Sequence, residues 1–182
     1  TAIESAFEQI ESELGSVEVL IANAGITRDQ LLLRMSDDDF SEVIDTNLKG
    51  SYRMARRATR TMLRARWGRL IFISSVVGMS GSAGQVDYAA SKAGLIGMAR
   101  SMARELGSRS ITANIVSPGP VATEMFASLT EEQQSAITGQ VPLGRVGQPE
   151  EIAEMVAFLA SESAAYITGA VIPIDGGLGM GH

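Results

Sequence analysis

The stretch "GRLIFISSVVGMSGSAGQVDYAASKAGLIGMARSMARELGSRSITANIVSPG", Gly68 to Gly119, decides the fold. Its ends, "GRLIFISS" (Gly68 to Ser75) and "ITANIVSPG" (Ile111 to Gly119), are short apolar runs that stop at small residues. That is the pattern of strands buried on both faces of a parallel sheet. Between them, "QVDYAASKAGLIGMARSMARELG", Gln85 to Gly107, reads as a helix. Parallel neighbours need a long crossover, and a helix supplies it with a right-handed turn. The unit is β-α-β.

Working outward, the same alternation continues. Upstream, Ile3, Phe7, Ile10 and Leu14 recur at helical spacing and stop at Gly15, a glycine C-cap, and "VEVLIANAG", Val17 to Gly25, reads as the first strand. Ser36 followed by Asp37, Asp38 and Asp39 suits a helix start, because a hydroxyl and negative charges complement the free N–H groups there. That helix carries Phe40, Val43, Ile44 and Leu48 on one face and is predicted to run to about Arg64, with a bend near Gly50. Downstream come a loop, a short helix at Glu131 to Thr138, and a helix opening at Pro149. "AVIPIDGG", Ala170 to Gly177, is the fourth strand. The prediction is one α/β domain over residues 1–182, an open parallel sheet with helices on both faces and its ligand site beyond the carboxyl ends of the strands.

Composition narrows the chemistry. No cysteine is present, which removes disulfides, thiol catalysis and cysteine-based zinc sites, and the single histidine, His182, is the last residue, so no metal site is expected. No apolar run approaches a membrane span and the first residues do not read as a signal peptide, so a soluble cytoplasmic protein is expected. A net charge of −6 argues against nucleic-acid binding. The basic residues are nonetheless clustered: Arg53, Arg56, Arg57, Arg60, Arg64, Arg66 and Arg69 fall within seventeen positions, read either as a solvated helix face or as a local basic surface.

The strand ends deliver Asn23 to Gly25, then Ser74 and Ser75, then Pro118 and Gly119, all toward one crevice. Tyr88 and Lys92 stand at i and i+4 of the helix that comes next, so both side chains can face it. A phenol titrating near ~10 is a sluggish acid or base at neutral pH, and a nearby ammonium stabilises its phenolate. Ser75 could hydrogen-bond the oxygen that Tyr88 protonates, and the two together would polarise a carbonyl. The tyrosine–lysine spacing alone reads as a core-edge tyrosine beside a surface lysine.

The combination is more specific. With "NAG" at Asn23 to Gly25, Asn47, "SS" at Ser74 and Ser75, "YAASK" at Tyr88 to Lys92, "SPG" with "VATEM" at Ser117 to Met125, and "GAVIPIDGG" at Gly169 to Gly177, the chain resembles the short-chain dehydrogenase/reductase family from end to end. The resemblance implies a Rossmann-like, doubly wound sheet and a nicotinamide cofactor that supplies hydride, NADPH or else NADH. Tyr88 would be the general acid and Ser75 would orient the substrate oxygen. Lys92 would lower the tyrosine pKa and bind the nicotinamide ribose, and Asn47 would hold a water linking Lys92 to solvent. Asn23 and Gly25 would line the cofactor cleft, with Val121 and Thr123 at the carboxamide end.

Within that family, "NAGITRDQLLLRMSDDDFSEVIDTNLKG" and "PLGRVGQPEEIAEMVAFLAS" are similar to the bacterial 3-oxoacyl-[acyl-carrier-protein] reductases. That implies reduction of a 3-oxoacyl thioester carried by acyl carrier protein or coenzyme A, docking of the acidic carrier at Arg66 and Arg109, and a homotetramer. Another short-chain dehydrogenase acting on a secondary alcohol, sugar or steroid, or a non-catalytic oligomerisation module, are the alternatives. The family's glycine-rich TGxxxGxG phosphate loop does not occur in these residues. The expectation is therefore a partial domain lacking its first strands, with "VEVLIAN" at an uncovered sheet edge and no dinucleotide bound in this form.

Overall fold

The computed structural model describes residues 2–180 of the chain, so the reading of His182 lies outside the described residues. Four parallel strands stand in the order β1 (Val19–Ala22), β2 (Gly68–Ile73), β3 (Ile111–Pro118) and β4 (Val171–Ile174). Register is continuous: Leu20 faces Leu70, Leu70 faces Ala113, and Val116 faces Ile172. As expected, β1 is an outer strand, and its Ile21 is 44% exposed.

Helices cover both faces. On one side α1 (Ala2–Leu14), α3 (Gly50–Ala65) and α5 (Val86–Leu106) bring Phe7, Ala55, Ala58, Met62, Leu95 and Ala99 against Leu70, Phe72, Ala113 and Ile115. On the other, α8 (Pro149–Ala160) packs Val156 and Leu159 onto Ile71 and Val116. The small alanines let α3 and α5 lie close to the sheet, and each fully buried Leu or Phe contributes on the order of 2 kcal/mol. Two helix boundaries match their sequence signals: Gly15 takes φ +88 after α1, and Pro149 opens α8. The helix at α7 (Glu131–Thr138) is set by a capping box between Thr130 and Gln133.

One reading changes in detail. The helix from Ser36 does not bend at Gly50, whose dihedrals are ordinary helical; instead α2 (Asp37–Val43) passes into a π-helical turn, Ile44–Lys49, before α3. The methionines of α3 and α5 pack inward: Met62 is buried, and Met54, Met98 and Met102 lie against the core. Two of the clustered arginines are also buried. Arg57 bonds Glu11 at 2.6 Å and lies 5.0 Å from the Phe7 ring centre, fastening α1 to α3. Arg69 sits at the start of β2. Exposed Arg53, Arg56 and Arg60 line a cleft between α1 and α3.

Candidate active site

The carboxyl ends of β2 and β3 and the first turns of α5 build the candidate site. After β2, Val76 N donates to Pro118 O at 3.0 Å, which holds the turn carrying Ser75 beside the end of β3. The short helix α4 (Val77–Ser80) then packs on α5 at backbone distance: a Cβ on Gly78 would come within 2.9 Å of Lys92 C and Cβ. Ser74 Oγ donates to Lys92 O at 2.9 Å. Ser74 and Gly78, small residues on either side of Ser75, are what allow the approach.

Tyr88 is half-buried, and its hydroxyl lies within the influence of the Ser75 side chain. Burial pushes its hydroxyl above the ordinary phenol range; the interaction with Ser75 opposes this, and the charge of Asp29 adds to it. Lys92 is buried, and its Nζ donates to Ile73 O at 2.8 Å and lies 5.4 Å from the Tyr88 ring centre. Burial pushes Lys92 down to about 8. Sequence reasoning expected the lysine to lower the tyrosine pKa. The shift runs the other way, because desolvation outweighs the interaction with Ser75.

Asn47 sits in the π-helical turn and is buried. Its Oδ1 accepts from Ile26 N at 2.8 Å, and its Nδ2 donates to Ile26 O and to Ser91 Oγ, both at 3.0 Å. The side chain thus pins the segment after β1 to α5, and both of its amide donors are used in doing so. Ser51 Oγ donates to Asn47 O at 2.6 Å. Single-turn π-helical insertions are frequent at functional sites, and no sequence signal beyond the family resemblance marked this one.

Gly25 lies against the same cluster: a Cβ there would stand 3.3 Å from both Asn47 Oδ1 and Lys92 Nζ. A side chain would fill the space in front of the ammonium, so glycine keeps it open. Lys92 has three donors and among the described residues spends one, which leaves two for a polyhydroxylated ligand such as a ribose. These residues therefore fit the nicotinamide end of a dinucleotide. Asn23 is exposed just after β1. Val121 pairs with Gly147 in an isolated bridge after β3, and Thr123 caps the short helix α6 (Glu124–Ala127) by accepting from Phe126 N at 3.4 Å.

Arg66 and Arg109 come together at the opposite end of the sheet. Arg66 ends α3 in a left-handed conformation and donates to Ser108 O at 3.3 Å, next to Arg109. Both are exposed and precede the first residues of β2 and β3, whereas Ser75 and Tyr88 come after the strand ends. Sequence order implied this separation, since each arginine stands two residues before its strand. Sequence reasoning did not single out Asp29 or Ser91, which meet the site through Tyr88 and Asn47.

Known proteins carry the same arrangement of sequence. The family model described as enoyl-(acyl carrier protein) reductase matches residues 1–179. The chain is 52% identical over 179 residues to the 3-oxoacyl-[acyl-carrier-protein] reductase FabG of Pseudomonas aeruginosa, covering 98% of this chain and 72% of that protein. It is 52% identical over 181 residues to MabA of Mycobacterium tuberculosis H37Rv, covering 100% and 73%, and 50% identical over 179 residues to FabG of Escherichia coli K12, covering 98% and 73%. Both are named 3-oxoacyl-[acyl-carrier-protein] reductases. Tyr88, Lys92, Ser75 and Asn47 all fall inside these matched spans, and with a four-stranded parallel sheet behind them the chain belongs to the short-chain dehydrogenase/reductase family.

Proposed function

We propose that this chain carries the proton machinery of an NADPH-dependent 3-oxoacyl thioester reductase of fatty-acid synthesis, working in the cytoplasm as one nucleotide-binding domain. The observation that carries the reading is the pairing of Ser75 with Tyr88 over a buried lysine. Two hydroxyls meeting at one point suit a carbonyl oxygen that becomes an alcohol, and this favours the ketone named in the relatives over the enoyl group named in the family description.

A reduced nicotinamide, when bound, supplies the hydride. Ser75 holds the keto oxygen by donating to it, and Tyr88 Oη gives that oxygen its proton, leaving a phenolate. The Lys92 ammonium, protonated below about 8, stabilises the phenolate and offers its remaining donors to the ribose. The phenolate is then reprotonated by way of Lys92, and a water held by Asn47 would return that proton to Lys92 from solvent. Asn23 and Gly25 line the cleft, and Val121 and Thr123 hold the carboxamide end.

Arg66 and Arg109 serve as the docking pair for an acidic carrier protein. β2 runs six residues, roughly 20 Å, between that pair and Ser75. The test is NADPH oxidation with an acetoacetyl thioester. Tyr88→Phe abolishes turnover, and retained activity would sink the acid. Arg66→Glu with Arg109→Glu raises KM for the carrier-bound substrate and spares a carrier-free ketoester; equal losses on both refute the docking role.

A further inference from the structure

Four of the clustered arginines fall on one stripe of α3. Arg53, Arg56, Arg57 and Arg60 stand at i, i+3, i+4 and i+7, and with the first turn of α1 they line a cleft of about 530 Å³. Like charges at those spacings repel one another. Among the described residues two carboxylates answer them, both from α1. Glu11 accepts from Arg57 Nη2 at 2.6 Å and Nη1 at 3.1 Å, and Glu4 Oε1 is shared between Arg57 Nε at 3.2 Å and Arg60 Nη1 at 2.7 Å. Arg53 and Arg56 are exposed and pair with no acidic side chain among the described residues.

The arginines therefore divide by task. Arg57 is buried, its guanidinium 5.0 Å from the Phe7 ring centre, and gives the cleft a fixed base. Arg60 is held by Glu4 through one nitrogen and keeps the rest of its fork, while Arg53 and Arg56 keep all of theirs.

We propose that this cleft is a binding site for a phosphomonoester, with the phosphate on Arg53, Arg56 and the open side of Arg60 and the carbon skeleton against Ala2, Ile3 and the arginine stems. Four cations facing two carboxylates leave a local positive excess in a chain whose net charge is −6. A phosphomonoester carries a charge of about −1.5 to −2 near neutral pH and matches that excess, where a carboxylate would bring about half as much. Guanidinium forks take phosphate oxygens two at a time, so the unspent donors are of the right shape as well as the right sign. The cleft falls within the roughly 300–1,000 Å³ of small-molecule sites, which suits a sugar phosphate. It shares no residue with Ser75, Tyr88, Lys92 or Asn47, so the inference stands apart from their reading as reductase machinery.

Ribose 5-phosphate is the probe, titrated calorimetrically into this chain, with ribose as the uncharged control. Ribose 5-phosphate binds at a single site and ribose does not. Arg53→Gln with Arg56→Gln weakens binding roughly tenfold or more, the loss expected for two charge-assisted contacts. Arg100→Gln with Arg104→Gln removes the same charge from exposed positions on α5 and leaves the affinity within about twofold. No binding of ribose 5-phosphate overturns the proposal, as does equal binding of ribose. An equal loss in the two double variants also overturns it, since that would mean attraction to overall charge rather than to the cleft. Should Arg53→Gln with Arg56→Gln not fold, the unaltered chain carries the test: ribose 5-phosphate raises its melting temperature and sodium chloride at matched ionic strength does not. The same response to both would overturn the site. Turnover retained by Tyr88→Phe would remove the acid while leaving ribose 5-phosphate binding intact, so the two failures are distinct.

Discussion

Two cations are buried at opposite ends of β2, and they are treated in opposite ways. Arg69, at the first end, is surrounded: Nη1 donates to Gly68 O and Ser110 O, Nε to Ser161 O, Nη2 pairs with Glu162, and the guanidinium lies 4.4 Å from the Trp67 ring centre. Trp67 Nε1 in turn donates to Glu162 at 2.6 Å. Lys92, at the far end, meets one carbonyl, Ile73 O, among the described residues. A planar guanidinium with five donors can be satisfied by a strand end and serve as a staple. A lysine left with one acceptor is held poorly enough to lose its proton near neutrality, which suits proton transfer and works against stability.

The sharpest way to break this comparison is Lys92→Met. Turnover falls roughly 10²–10⁴-fold in the thioester assay, the range of a lost acid–base partner. Stability moves the other way. The folded pKa of about 8 lies below the unfolded value of 10.5, so the unfolded chain binds more protons between the two. Stability attributable to Lys92 therefore rises with pH across that window, and the whole penalty, on the order of 3 kcal/mol, is present below about 8. Denaturant melts show Lys92→Met more stable than the Lys92 chain at pH 7, with the gap closing by pH 10. In the same assay the Lys92 enzyme loses reductase activity as pH passes about 8.

Arg69→Met is the counterpart. It strands the carbonyls of Ser110 and Ser161 and costs about 3 kcal/mol in a urea melt, without changing the pH dependence of turnover. A stability gain there would show that both ends tolerate their charge equally badly. Gly78→Ala is the smallest of the three. Its methyl would press on the Lys92 backbone, so about 1–2 kcal/mol is lost, and because the displaced element carries Lys92, kcat falls with it.

The fold was legible wherever one periodicity ruled. The apolar runs at Gly68 and Ile111 became β2 and β3, and Gln85 to Gly107 became α5 within a residue at each end. Strands β1 and β4 came out shorter than their apolar runs, since pairing on an outer strand lapses once its single neighbour diverges. The π-helical turn was invisible because Ile44 and Leu48 keep an ordinary i, i+4 look whether or not a residue is inserted between turns. At the site, "YAASK" and Ser75 could be read from spacing plus family resemblance. The direction of the Tyr88 shift could not, because burial exists only once the sheet is assembled.

The π-helical turn also sets the rotational phase of α3. Each residue of an α-helix advances the chain by about 100° around its axis. Deleting one residue from Ile44–Lys49 would let the hydrogen-bond ladder close as a plain α-helix, yet it would also rotate α3 by that angle relative to α2. Ala55, Ala58 and Met62 would swing off the sheet, and exposed arginine positions such as 53, 56 and 60 would turn toward it. The irregular turn is thus a fixed gear tooth between the site and the core: a shorter helix could keep Asn47 in place or keep the alanines on the sheet, but not both.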